Sequence, residues 1–71
     1  MKTKLKFRCD SVTRTVDHVN ASLTVVTSGS EENASYFKYT PNGTLNLHVV
    51  NLEAGKMFEP GKEFYVEVSE A

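Results

Sequence analysis

The sequence predicts a mostly-β domain: a small five-stranded antiparallel barrel or rolled sheet, with one short helix before the last strand. Three observations predict it. Residues 2–9 alternate apolar and basic with period two, the later strand segments are β-branched or aromatic, and Pro-Gly and Pro-Asn-Gly turns punctuate them. With 71 residues there is room for one domain, spanning 1–71, and for no deep cleft beside its core.

Each element follows from its pattern. In the first segment Leu5, Phe7 and Cys9 fall on one face, with Lys2, Lys4, Lys6 and Arg8 on the other. The apolar phase slips from odd to even positions by Val12 and Val16, which calls for a bulge near Asp10-Ser11. Asp17 to Asn20 reads as a turn, and Ala21 to Thr27 as a second strand. Ser28 to Asn33 is polar and glycine-containing, a loop, and Tyr36 to Thr40 is an aromatic third strand. Thr40-Pro41-Asn42-Gly43 closes a hairpin into a fourth strand, Thr44 to Val49. Asn51 caps one or two helical turns that Gly55 weakens. Pro60-Gly61 forms a turn into the closing strand, Phe64 to Val68. Leu5, Phe7, Leu23, Val25, Leu45, Leu47, Phe64 and Val66 then form the inward wall of one curved sheet.

Composition narrows the function classes. The net charge of −1 supplies no overall field for nucleic acid or an anionic membrane. A single cysteine, Cys9, excludes an intramolecular disulfide and a cysteine-based zinc site, and a reducing compartment suits it. No apolar run approaches the ~20 residues that span a bilayer, and the basic start leads into no apolar segment of a signal peptide. The expected localisation is cytoplasmic. No metal ligands at a recognised spacing, nucleophile elbow or phosphate-binding glycine pattern occurs, so no enzyme activity and no cofactor is expected.

The candidate site residues are Lys4, Lys6, Arg8, Tyr36 and Lys38. The basic stripe holds four of the eight positive residues and could contact phosphates, with aromatic residues nearby to stack a base. The same stripe on an edge strand would also guard against edge-to-edge aggregation. If the terminal strands pair, Glu63 and Glu67 would face Lys4, Lys6 or Arg8. With residues 36–40 as a strand, Tyr36 and Lys38 share one face and form a contact patch.

Three segments carry a family resemblance: Ser-Gly-Ser-Glu-Glu-Asn at 28–33, Phe-Lys-Tyr-Thr-Pro-Asn-Gly at 37–43, and Phe-Glu-Pro-Gly-Lys-Glu-Phe-Tyr-Val at 58–66. Their order resembles short proteins of tailed bacteriophages with the pattern SGSEEN, FxxTPxG, an Asn-x-x-Ala helix start (here Asn51 to Ala54) and FxPGxxYYV. Phe64-Tyr65 stands where Tyr-Tyr is commoner, and Leu52 stands where Pro usually follows the Asn. The resemblance covers more than half the chain and implies a source but no catalytic residues. Together with the small size and the basic stripe beside aromatics, it leads to the expectation of a phage-encoded accessory binding protein in the infected bacterial cytoplasm, one specific form of which is a host-defence antagonist that sequesters a nucleotide signal or blocks a host defence protein. Minor virion or assembly component, and single-stranded nucleic-acid-binding accessory, are the competing expectations. Self-association is a further one, since so short a chain buries little of its own surface.

Overall fold

The computed structural model describes residues 2–71. Its elements run β1 (Lys2–Arg14), β2 (Val19–Val25), α1 (Glu31–Tyr39), β3 (Thr44–Val49), α2 (Leu52–Gly55) and β4 (Glu63–Ser69). The four strands form one antiparallel sheet in the order β3-β2-β1-β4, curled into a half-barrel.

Alternation sets the register. Phe7 lies opposite both Val25 and Phe64, Cys9 opposite Leu23, and Leu5 opposite Val66, so the apolar phases of three strands coincide. The bulge falls between Cys9 and Ser11, which brings Val12 opposite Ala21 and onto the core face. Leu45 and Leu47 join that face from β3, opposite Leu23 and Ala21. Phe7, Cys9, Ala21, Leu23 and Val25 are buried, and Leu5, Val12, Leu45, Leu47, Phe58, Phe64 and Val66 pack around them half-buried. All eight residues expected on the inward wall belong to this cluster.

Two connections clothe the sheet. Because β3 and β4 are opposite edges, residues 50–62 must pass from one edge to the other, and they cross the apolar face. Gly55 there approaches Val19 so closely that a Cβ would lie 2.7 Å from its Cγ2. Phe58 stacks at 5.2 Å on Phe64, and the Arg14 guanidinium donates to the Gly55 and Phe58 carbonyls at 3.2 and 2.6 Å. Gly61, at φ 90°, and Lys62 then exchange backbone hydrogen bonds with Cys9, both 2.8 Å, and lead the chain into β4. The other connection carries α1 over the opposite, polar face.

The structure corrects the sequence reading in four places. Residues 36–40 do not form a strand: Tyr36 to Tyr39 are the second half of α1, so the sheet has four strands rather than five and does not close into a barrel. The helix begins inside the segment expected to be a loop. Ser30 is its N-cap, extended at φ −162°, and its hydroxyl accepts from the Asn33 N–H at 3.0 Å. Glu31 and Glu32 in the first turn and Lys38 in the last suit the helix dipole, and Pro41 discourages continuation beyond Thr40. In consequence Thr40 to Gly43 link α1 to β3 instead of joining two strands, and Gly43 does not take positive φ. Third, β1 is not an outer strand of the sheet: it lies between β4, which pairs with Lys2–Arg8, and β2, which pairs with Phe7–Arg14. Fourth, the β1–β2 turn is earlier than expected: Val19 already belongs to β2 and is buried, whereas Val16 is 91% exposed in the turn.

Candidate binding surface

The polar face of the sheet is assembled from the residues that alternate out of phase with the core. Lys4, Lys6 and Arg8 on β1 lie opposite Glu67, Tyr65 and Glu63 on β4. The terminal strands thus pair as the alternating glutamates suggest, and the charges neutralise one another. Arg8 donates to Glu63 at 2.9 Å, Lys6 lies 3.5 Å from Glu63, and Lys2 lies 3.4 Å from Glu67.

Lys6 differs from the others in depth. Helix α1 lies over it and leaves it 9% exposed, with Glu32 from the helix 3.4 Å away. An ammonium withdrawn from water must be paired, and Glu32 and Glu63 flank it. Burial pulls its pKa down, but the hydrogen-bonding contact and charge of Glu32, together with Tyr65 and Glu63, outweigh that and leave it raised. Glu63 is held below the usual carboxylate range, first by the Arg8 hydrogen bond and then by Asn33. Glu32 is lowered chiefly by the hydroxyl of Tyr65, which donates to it, and the same contact raises the Tyr65 phenol. Asn33, 2% exposed, ties α1 down by donating to the Ser28 carbonyl at 2.9 Å and to Glu63 at 2.8 Å. Its own Oδ1 is buried without a partner among the described residues, a cost of about 1–3 kcal/mol.

The five candidate residues therefore divide. Lys6 and Arg8 are committed to holding α1 and β4 in place. Lys4 is exposed, makes no ion pair among the described residues, and sits 4.4 Å over the Tyr65 ring. Tyr36 reaches the same place from α1, its ring 6.3 Å from Tyr65 and tilted by 52°. Lys38 does not join them. Residues two apart on a helix point about 200° apart, the reverse of a strand, and Lys38 lies instead 5.7 Å from the Tyr39 ring. The surface that results is Lys4, Tyr36 and the 54% exposed Tyr65. Tyr65 went unnoticed in the sequence as a site residue, although pairing of the terminal strands puts it opposite Lys6 and diagonal to Lys4.

Two other groupings lie at the far end of the sheet. His18 and His48 stack at 4.4 Å, and His18 Nδ1 meets Asp17 at 2.7 Å and the Thr15 hydroxyl at 2.9 Å. A nucleophile relay needs the acid and the hydroxyl on opposite ring nitrogens. Here both use Nδ1, so the cluster braces a turn. A shallow cleft of about 460 Å³ is lined by Arg14, Thr15, Val19, Leu52, Lys56 and Glu59. Its cations are engaged, Arg14 by carbonyls and Lys56 by Glu53 at 3.0 Å. Among the described residues no helix is long and apolar enough to cross a membrane. Comparison with protein-family models, with curated proteins and with solved structures finds no match for this chain.

Proposed function

We propose that this chain is a non-enzymatic accessory binding protein that takes an anionic, aromatic ligand of the nucleotide class on the Lys4–Tyr36–Tyr65 surface. The observation that supports it is the Lys4 ammonium 4.4 Å from the centre of a half-exposed tyrosine ring. A base that stacks on that ring would place its phosphates beside a cation that makes no close ion pair among the described residues, although Glu67 lies opposite it across the strand pair. Such a site works by stoichiometric capture and needs no deep cavity. The bacteriophage resemblance supplies the setting, antagonism of host defence by sequestering a nucleotide signal in the infected bacterial cytoplasm.

A thermal-shift screen of the whole chain against cyclic and linear nucleotides tests this. A ligand should raise the melting temperature of the native chain, and Lys4→Glu and Tyr65→Ala should each remove most of the shift. No rise with any nucleotide would end the sequestering role, and a rise that survives both substitutions would move the site elsewhere.

A further inference from the structure

The seven residues of β4, Glu63–Ser69, form one outer strand of the sheet, and among the described residues no strand pairs with its outer side. It lacks the usual guards of an edge. It has no proline and no bulge against β1, and its two glutamates lean inward, Glu63 to Arg8 at 2.9 Å and Glu67 to Lys2 at 3.4 Å. Its open backbone groups follow from the neighbouring hydrogen bonds. The Cys9 N–H donates to the Lys62 carbonyl, on the β4 side, whereas the Lys6 carbonyl accepts from Val26, on the β2 side. Backbone direction alternates along a strand, so Thr3, Leu5 and Phe7 address Val68, Val66 and Phe64. Glu63, Tyr65, Glu67 and Ser69 therefore turn their N–H and C=O groups outward.

We propose that two copies of this chain join β4 to β4, antiparallel about a two-fold axis at Val66, into one continuous eight-stranded sheet. The strand itself fixes the register. Val66 is its midpoint, so every residue finds a partner: Glu63 meets the second copy's Ser69, Phe64 its Val68, and Tyr65 its Glu67. Outward-facing residues meet one another, which gives about eight backbone hydrogen bonds. Val68, 52% exposed in the single chain, gains Phe64 as a neighbour. A two-fold at Tyr65 would set Glu63 directly against Glu67, and one at Glu67 would set that residue against itself, both unfavourable. The other outer strand suits self-pairing less. β3 has six residues, Thr44–Val49, so pairing its full length would set outward groups against groups already bonded to β2. Pairing β4 with β3 of another copy would not close and would propagate.

The seam lies in the plane of the sheet, so the crossover that covers the apolar face stays in place. Helix α1 packs over β1. The two β1 strands are then three strand spacings apart, about 14 Å, more than the roughly 8–10 Å at which helices touch. On the polar face the two Tyr65 residues take diagonal positions roughly 7–8 Å apart, and the two candidate surfaces become one groove between the helices. The seam uses backbone groups that a stacked nucleotide does not contact, so it stands or falls separately from the ligand reading.

Sedimentation of the full chain without nucleotide, between ~10 and ~500 µM, reads the mass; the range is high because a strand seam is smaller than a standard interface. The expected mass at the upper end is twice 7.9 kDa. Amide exchange on the same samples locates the seam. The Tyr65 and Glu67 N–H groups should slow at least about threefold between the dilute and the concentrated chain, while Thr44, Asn46 and His48 on β3 keep their rates. Glu67→Pro removes an outward N–H and no bond to β1, and should abolish association; Glu67→Gln should retain it. If circular dichroism shows that Glu67→Pro does not fold, the native exchange pattern decides. A native chain that is monomeric at ~500 µM overturns the proposal. So does slowing on β3 instead of β4, growth beyond two copies, or a folded Glu67→Pro chain that associates like the native one.

Discussion

Gly55→Ala separates two physical effects of opposite sign. Gly55 is the last residue of α2 and is buried. By helix propensity alone, alanine there should stabilise by about 0.5–1 kcal/mol. The structure reverses the expectation. The new Cβ would lie 2.7 Å from Val19 Cγ2 and 3.0 Å from Val19 Cβ. Val19 is 2% exposed at the head of β2, and its Cβ is fixed to the strand, so relief requires the backbone of β2 or of the crossover to move. Overpacking of that kind costs about 1–3 kcal/mol; its midpoint of ~2 kcal/mol, less the propensity gain, leaves a net loss of about 1–1.5 kcal/mol. For a domain of this size the melting temperature should fall by ~4–12 °C. Thermal and urea melts at fixed protein concentration measure it. A double-mutant cycle with Val19→Ala isolates the contact, since alanine at 55 then fills space that the smaller side chain vacates. The pair should lose less stability than the two single changes added together. A Gly55→Ala chain that melts at or above wild type, or strictly additive losses, would refute the close-approach argument.

Acid should loosen the chain through the carboxylates beneath α1. Glu63 and Glu32 have folded pKa values below the ordinary 4.5, so their stabilisation is fully present above that value and is lost as pH falls through the folded values. Melting temperature should be flat near neutrality and drop below about pH 4.5, and Glu63→Gln should lower the neutral value and flatten the acid limb; an unchanged acid limb in that variant would exclude the role. On the alkaline side the signs reverse. The raised Lys6 and Tyr65 lose their contributions as pH climbs through their folded values, so a second decline above about pH 10 is expected in the same melts. The Cys9 thiol, 1% exposed and pushed up first by burial and then by Asp10, should react with a disulfide reagent at least on the order of a hundred times slower in the native chain than in denaturant. Equal rates would place the thiol at the surface.

Where period-two alternation was the signal, the sequence was legible. A strand with one buried face must keep its phase, so Leu5, Phe7, Leu23, Val25, Leu45, Leu47, Phe64 and Val66 could be assigned to one wall from their spacing alone. The slip between Cys9 and Val12 was legible for the same reason. Residues 31–39 were not, because Tyr36-Phe37-Lys38-Tyr39 has strand-like composition and its side chains supply little apolar periodicity at 3.6. The helix is held by its ends and by polar contacts: the Ser30 cap, the acidic first turn, Asn33 on Glu63, and Glu32 between Lys6 and Tyr65. Ser30 followed by two glutamates and Asn33 was the available cue. The candidate surface inherited that error. Reading a strand grouped Lys38 with Tyr36, while the helix puts Tyr36 beside Tyr65, a neighbour that only the pairing of the two terminal strands reveals.

That pairing also dictates the order in which the chain can assemble. β1 meets β2 through a short turn, yet its other side waits for residues that are almost a full chain length away, Lys2 against Ser69 and Leu5 against Val66. The entropy lost in closing so long a loop must be met before any contact across the seam rewards it. During synthesis the N-terminal half can form its hairpin early, but its central strand keeps one bare flank until β4 leaves the ribosome. Until then Phe7 lacks Phe64 across from it, and the nascent sheet has its most aggregation-prone edge at the strand that ends up innermost.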